Sequence, residues 1–382
     1  MKIGFFTNTY LPVNYGIEVS METFRKGLES KGNKVYIFAP YYKGYIDKNP
    51  NVFRFKSLKI FRKKGVYIPF PFLPKNKKLK EVLNKDLDII HAHSPFTMGL
   101  LARHIAKKQG IPFIYTHHVL FSAYAKLHFK RRLIPPFVLR KYTTNFANSA
   151  DLVIAPSLKI KRFLKNNGVK KEIEILPTGI NTKIFKKNTK SKEILKKKLK
   201  IPSKNKILLF VGRIELEKNP LFLIRSLAEI IKERKDVVLL MIGSGTLLEK
   251  IREVSKKLKL SKNLKLLGSV PHKKIPFYYQ GSDLFVFSSL TETQGIIILE
   301  AAASGIPVIA LKDDPFLDVI KNGKNGFLVP RQDPKIFAKK VLKVLNDKKL
   351  YNKLSKNAQI TAKSFSEKKQ AEKLIKIYKK LI

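Results

Sequence analysis

The chain has 382 residues, 78 Lys and Arg against 28 Asp and Glu, a formal charge of +50, 44% hydrophobic residues and no cysteine. That length supplies two ordinary domains with packed cores, and the missing cysteine excludes disulfides and thiolate metal sites. No run approaches ~20 uncharged apolar residues, so no bilayer span is expected, and MKIGFFTNTYLP lacks the parts of a signal peptide, which points to a cytoplasmic, soluble or peripheral protein.

The opening reads as strand Lys2–Phe6, loop Thr7–Gly16 and helix Val19–Ser30, then strand Val35–Ala39. Gly16 stands at the helix entrance, where a missing side chain allows close backbone approach. Two acid-free stretches follow, residues 48–80 and 89–150. In the first, FRFKSLKIFRKK and YIPFPFLPKNKKLK mix aromatic and cationic side chains, among them Arg62, Lys63, Lys64, Phe70 and Phe72. Residues 75–85 carry Leu79, Val82 and Leu83 at helical spacing and predict an amphipathic helix. The second contains LFSAYAKLHFKRRLIPPFVLRKY, with Lys130, Arg131 and Arg132. Apolar and aromatic groups beside cations suit an anionic membrane surface. Nucleic acid would favour a similar composition, but no nucleic-acid motif accompanies it.

Strand Ile89–His91, helix Gly99–Gln109, strand Pro112–Tyr115, strand Asp151–Ala155, helix Leu158–Asn166 and strand Ile173–Leu176 continue a βα pattern on a parallel sheet. His91, His93, His104, His117 and His118 cluster here. HxH and HH suggest a metal site, yet His91 and His93 are read as pointing to opposite strand faces, with no carboxylate joining them. A metal is therefore not expected.

The pattern pauses near Pro177–Asn188, and a lysine-rich stretch, Lys186–Lys200, leads to a fresh start at KILLFVG. Strands at Lys206–Val211, Val237–Ile242, Leu264–Leu267, Asp283–Phe287, Pro307–Ala310 and Gly326–Val329 form a second doubly wound domain, and the chain from Asp333 is helical. In FVGRIELEKNP, Arg213 and Lys218 lie in one loop and can both reach one diphosphate. Gly243-Ser244-Gly245 and Gly268-Ser269-Val270-Pro271 follow the next two strands. Strand Asp283–Ser289 runs into loop Leu290–Gly295 and helix Ile296–Ala303, which places Glu292 before the turn and Glu300 on the second helical turn. A helix start at a strand's carboxyl end favours phosphate, and carboxylates accept sugar hydroxyls. Glu300 sits in an otherwise apolar helix, so its charge requires a partner.

Glu292, Gly295, Glu300, Ala301, Gly305 and Pro307 resemble the E-x7-E signature of family 4 retaining glycosyltransferases, and Arg213 with Lys218 resembles that family's GR-x4-K motif. The resemblance implies an α/β chain of the GT-B fold: two Rossmann-like doubly wound domains facing across a cleft. It places an acceptor- and membrane-binding domain at 1–180, a nucleotide-sugar domain at 181–365, and a last helix, 366–382, crossing back to the first domain. It implies that Glu300 binds the donor ribose, Glu292 the transferred sugar, and Arg213 and Lys218 the diphosphate, with Gly16, Val270 and Gly295 also near the donor. IYTHHV resembles the family's TxH segment, which puts His118 at the reacting centre. Glu292 and His118 are thus the expected catalytic residues, and no enzymic nucleophile is assigned. No DxD pair is evident, and no metal or cofactor is expected. The ETQG form resembles the diacylglycerol glycosyltransferases, which implies UDP-glucose or UDP-galactose as donor, diacylglycerol as acceptor, anionic lipids as partners and a peripheral monomer at the cytoplasmic membrane face. A polyprenyl-linked or soluble glycan acceptor would share every donor motif. A nucleic-acid-binding protein is the distant alternative.

Overall fold

The computed structural model describes residues 1–13, 16–61, 66–71, 81, 84–120, 135–188 and 190–382. Two compact units divide it: residues 1–179 with 367–382, and residues 180–366.

The first unit is built on a seven-stranded parallel sheet. Its strands are β1 (Lys2–Phe6), β2 (Lys34–Pro40), β3 (Val52–Phe55), β6 (Ile89–Ala92), β7 (Phe113–Thr116), β8 (Leu152–Ala155) and β9 (Ile173–Ile175), in the order β3-β2-β1-β6-β7-β8-β9. Near-continuous apolar runs make these strands, because helices cover both faces of a parallel sheet. Phe6, Phe38, Tyr115 and Phe146 pack on one face, and Ile3, Phe5, Met21, Leu28 and Ile114 on the other. The helix Gly16–Glu29 begins three residues before the sequence-based boundary. The final helix, Glu367–Lys379, lies against it. The contact is close: a Cβ added at Gly27 would stand 2.6 Å from that of Ala371.

The described residues between 52 and 69 include three strands and are more than a surface anchor. β3 pairs with β2, and β4 (Ser57–Phe61) pairs antiparallel with β5 (Val66–Pro69). Arg54 ties this edge down. Its guanidinium bonds the Asp47 carboxylate at 2.6 and 2.8 Å and the carbonyls of Pro40 and Leu11, and lies over the rings of Tyr10, Tyr42 and Tyr45.

The second unit has a six-stranded parallel sheet: β10 (Lys206–Val211), β11 (Val237–Ile242), β12 (Leu264–Leu266), β13 (Leu284–Phe287), β14 (Val308–Leu311) and β15 (Gly326–Val329), ordered β12-β11-β10-β13-β14-β15. Counted from β10 this is the 3-2-1-4-5-6 order of the Rossmann fold, with its switch point between β10 and β13. The lysine-rich stretch forms a helix, Lys190–Lys198, whose Leu195 is buried. Its Lys192 bonds Asp283 at 2.5 Å, and Asp283 in turn accepts the Ile207 N–H. The helical tail from Pro334 is broken at Asp347, which caps the next helix, and again at Ser366.

Candidate active site

Along the carboxyl edge of the second sheet the loops stand in sheet order. After β12, Gly268 accepts a 2.8 Å hydrogen bond from the Gly243 N–H, and the hydroxyls of Ser244 and Ser269 meet at 2.8 Å. After β11, the Gly243-Ser244-Gly245 turn lies on the loop that follows β10, with the Ile214 N–H donating to the Ser244 carbonyl at 2.9 Å. Gly243 has φ +144°, and a Cβ there would stand 1.8 Å from the Gly212 carbonyl oxygen. The turn therefore requires glycine. Val270 is half-buried and packs on the unit's apolar core.

At the switch point the loops after β10 and β13 meet. Lys218 and Glu292 form an ion pair, and Arg213 pairs with Glu217 at 2.6 Å. Hydroxyls fasten the two loops together. Ser288 donates to the carbonyl of Lys218 or Asn219, each 2.8 Å away, and Ser289 to that of Glu217 at 3.1 Å. Asp313 completes the frame: its carboxylate accepts the Glu292 N–H at 3.1 Å and caps the short helix Asp314–Leu317. No role was assigned to Asp313, Ser288 or Ser289 from the sequence. Two serines directly after an apolar strand were the available signal.

Gly295 is the N-cap of the helix Ile296–Ala303, with φ +79°. A Cβ there would stand 2.6 Å from the Phe316 ring, so the helix start is fixed by a residue no larger than glycine. Glu300 is 4% exposed. The partners its charge requires are His272, whose Nε2 is 3.4 Å away, and Tyr279. Burial and the Glu300 carboxylate hold the Tyr279 phenol well above its ordinary range. Arg213, Lys218, Glu292, Gly295 and Glu300 thus share the sheet edge where a doubly wound fold binds its ligand. Two cations, each held by a glutamate, and the N-terminal end of a helix stand on that edge.

In the first unit the switch point lies between β1 and β6. Asn8, after β1, bonds Ser94 and Thr97, after β6. Gly16 opens the first helix with no atom within 4 Å of an added Cβ. Glu18 and Glu22, in the first two turns, accept from the hydroxyls of Thr9 and Tyr10 and so anchor the loop.

His91 and His93 share one face of the sheet, contrary to the expectation of opposite faces: residues i and i+2 of a strand point the same way. Their rings stack at 4.2 Å. Thr116 bonds His91 Nε2 at 2.6 Å, and His118 Nε2 lies 3.0 Å from His93 Nδ1. Among the described residues no three His, Asp or Glu stand together as metal ligands. Burial pushes His91 and His93 well below the usual imidazole range, His117 down to about 4 and, with the neighbouring His117, His118 to about 3. These rings stay neutral in the folded chain, whereas the unfolded chain takes up protons below about pH 6.5. Their neutral state is fully compatible with folding above that value, and stability falls as the pH drops below it. Each ring buried this way costs up to about 1.4 kcal/mol per pH unit. Thermal melts at pH 7 and pH 5 are expected to differ by several degrees, with the lower Tm at pH 5. Equal melts would overturn the assignment of neutral buried rings.

Of the predicted membrane residues, Phe70 is exposed, whereas Arg62, Lys63, Lys64, Phe72, Lys130, Arg131 and Arg132 lie outside the described residues, as does most of the predicted helix 75–85. In the same acid-free stretches of sequence, Leu58 on β4 is 60% exposed, and Phe137 on the helix Pro136–Asn148 is 61% exposed beside exposed Arg140 and Lys141. No helix among the described residues is long and apolar enough to cross a membrane.

Residues 191–361 match the model of the group 1 glycosyl transferases, and residues 15–184 that of Glycosyltransferase Family 4. The alpha-monoglucosyldiacylglycerol synthase of Acholeplasma laidlawii is 32% identical over all of this chain and 98% of its own length. The enzyme of the same name from Streptococcus pneumoniae is 33% identical over 85% of this chain and 74% of its own. Among solved structures, Anabaena HepE in complex with UDP and glucose superposes with a TM-score of 0.80 at 20% identity, over the whole of both chains.

Proposed function

The chain belongs to glycosyltransferase family 4 and has the GT-B fold, and on that premise we propose that it moves glucose from UDP-glucose to 1,2-diacylglycerol with retention of configuration. The observation that carries the reading is the convergence of Arg213, Lys218, Glu292, Gly295 and Glu300 at one switch point. The likeness to the two alpha-monoglucosyldiacylglycerol synthases, one of them over the full length, supports both the acceptor and glucose over galactose. In this reading Glu300 accepts from the ribose hydroxyls, beside Val270 at the base. Arg213, Lys218 and the helix start after Gly295 hold the diphosphate. Glu292, kept in place by Lys218 and Asp313, accepts from the hexose, and His118 bonds the same sugar.

The acceptor hydroxyl attacks the anomeric carbon on the face the diphosphate leaves. The departing phosphate oxygen takes the hydroxyl proton as the carbon–oxygen bond breaks. Preorganised positive charge on the leaving diphosphate supplies most of the acceleration. Since the protein provides that charge, the reaction needs no metal. The test is incubation with UDP-glucose, UDP-galactose or GDP-mannose and diacylglycerol in anionic micelles, with and without EDTA, followed by lipid chromatography. Monoglucosyldiacylglycerol is expected, in equal amounts with EDTA. Transfer only to water-soluble or polyprenyl-linked glycans would remove the acceptor, and rescue by Mn²⁺ after EDTA would remove the metal-free mechanism.

The protein is proposed to act as a monomer, peripherally attached at the cytoplasmic membrane face. The support is the exposed Leu58, Phe70 and Phe137 beside cations in a sequence region without acids. Each Lys or Arg held near an anionic surface contributes ~1 kcal/mol. Attachment therefore weakens with salt as the Debye length falls from about 10 Å at 0.1 M to about 3 Å at 1 M. In liposome flotation the protein is expected to rise with anionic vesicles and to stay behind with neutral ones. Equal behaviour toward both removes the electrostatic attachment.

A further inference from the structure

The last helix of the chain reaches the histidine cluster. Tyr378, fully buried, lies 2.7 Å from His91 Nδ1 through its hydroxyl. Thr116 Oγ1 holds the other ring nitrogen at 2.6 Å, so the His91 ring is pinned at both ends. His93 stacks on this fixed plate at 4.2 Å and 27° between planes, and the Phe5 ring meets the edges of both imidazoles. His93 in turn contacts His118, with Nδ1 and Nε2 3.0 Å apart and the rings stacked at 22°.

The hydrogen between His93 and His118 has one favourable position. His93 Nε2 is buried with no partner among the described residues. A proton there would be an orphaned buried N–H, which folded proteins avoid more strictly than an unmatched acceptor. The proton of neutral His93 therefore resides on Nδ1 and is donated to His118 Nε2. Neutral His118 must then carry its own proton on Nδ1, which makes that nitrogen a donor rather than an acceptor.

We propose that Tyr378 is a positioning residue for the reacting centre: through His91 and His93 it holds His118 in the Nδ1–H form, as a fixed hydrogen-bond donor toward the transferred sugar. The role of the sugar rests on the glycosyltransferase reading above; the relay itself rests only on the contacts within the first unit. Tyr378→Phe keeps the ring that fills the core and removes the hydroxyl. It is expected to lower kcat about tenfold, with the KM for UDP-glucose changed less than twofold, because the proposed donor-binding groups belong to the other unit. His93→Phe keeps the stack, removes the Nδ1 donor and leaves the last helix untouched. It should lower kcat at least as much, and the double variant should be no worse than His93→Phe alone.

Nitrogen-15 NMR of histidine-labelled full-length protein gives a readout independent of turnover. His118 is expected to show a protonated Nδ1 and a bare Nε2, and Tyr378→Phe is expected to move the His118 shifts, because a loosened His91 ring lets His93 drift and weakens its Nδ1–H bond to His118. A wild-type His118 protonated at Nε2, unaltered His118 shifts in Tyr378→Phe, or additive effects in the double variant would overturn the relay. Absence of sugar transfer by the wild-type protein would instead refute the glycosyltransferase reading, and the NMR result would still decide whether the relay exists.

Discussion

Lys218→Ala is expected to lower the rate of sugar transfer more than ~100-fold, on the scale of one lost transition-state charge contact, about 2.7 kcal/mol. Two effects act together. The variant removes a cation from the leaving diphosphate, and it takes the Lys218 ion pair away from Glu292, which raises the repulsion between that carboxylate and the diphosphate. The second effect predicts a coupling. Adding Glu292→Gln to Lys218→Ala relieves the repulsion, so the double variant should lose less than the two single variants combined. Arg213→Ala should cost a similar factor and break the Arg213–Glu217 ion pair. The measurements are kcat at saturating donor for the four proteins, with thermal melts as a control for folding. Near-normal turnover of Lys218→Ala and Arg213→Ala would sink the assignment of the diphosphate site.

Glu300→Ala should lower kcat/KM more than ~100-fold, by a different route. A carboxylate accepting from two ribose hydroxyls makes charged hydrogen bonds of roughly 1.5–3 kcal/mol each. The ribose is present in UDP as well as in UDP-glucose, so affinity for the product must fall in parallel. Titration calorimetry with UDP alone therefore separates the proposed role from a structural one. Unchanged UDP affinity in a folded Glu300→Ala protein refutes ribose binding. Tyr279 retains the Ile297 carbonyl, 3.3 Å from its hydroxyl, so the variant should not leave that phenol stranded.

Much of this edge was legible because its signals are local. The helix Ile296–Ala303 was read with its observed ends, since an octet apolar but for Glu300 stands between Gly295 and Ser304-Gly305. What was not legible depends on residues far apart in sequence. The Lys218–Glu292 pair spans 74 positions, and nothing in either loop alone announces it. The strands β3, β4 and β5 were overlooked because an edge strand and an isolated strand pair bury little. Of the four β3 residues only Phe55 is fully buried, so the usual apolar pattern is faint there. The helix Lys190–Lys198 was masked by its lysines, which leave Leu195 as its one buried large apolar side chain. The error over His91 and His93 was one of pleat geometry and could have been avoided from the sequence.

The helix Glu367–Lys379 belongs to the first unit, although all of the second unit precedes it in the chain. During synthesis the ribosome therefore delivers residues 1–179 long before the segment that covers Met21, Phe24 and Leu28 with Leu374, Ile377 and Tyr378. Residues 180–366 can finish folding while the earlier-made unit still waits with an open apolar groove, a natural stop for a chaperone. A proteolytic cut near Ser366 would recreate that waiting state. It would spare residues 180–366, proposed above to hold the nucleotide, and remove the hydroxyl beside His91, so the expected product is a protein that keeps its UDP affinity but transfers poorly.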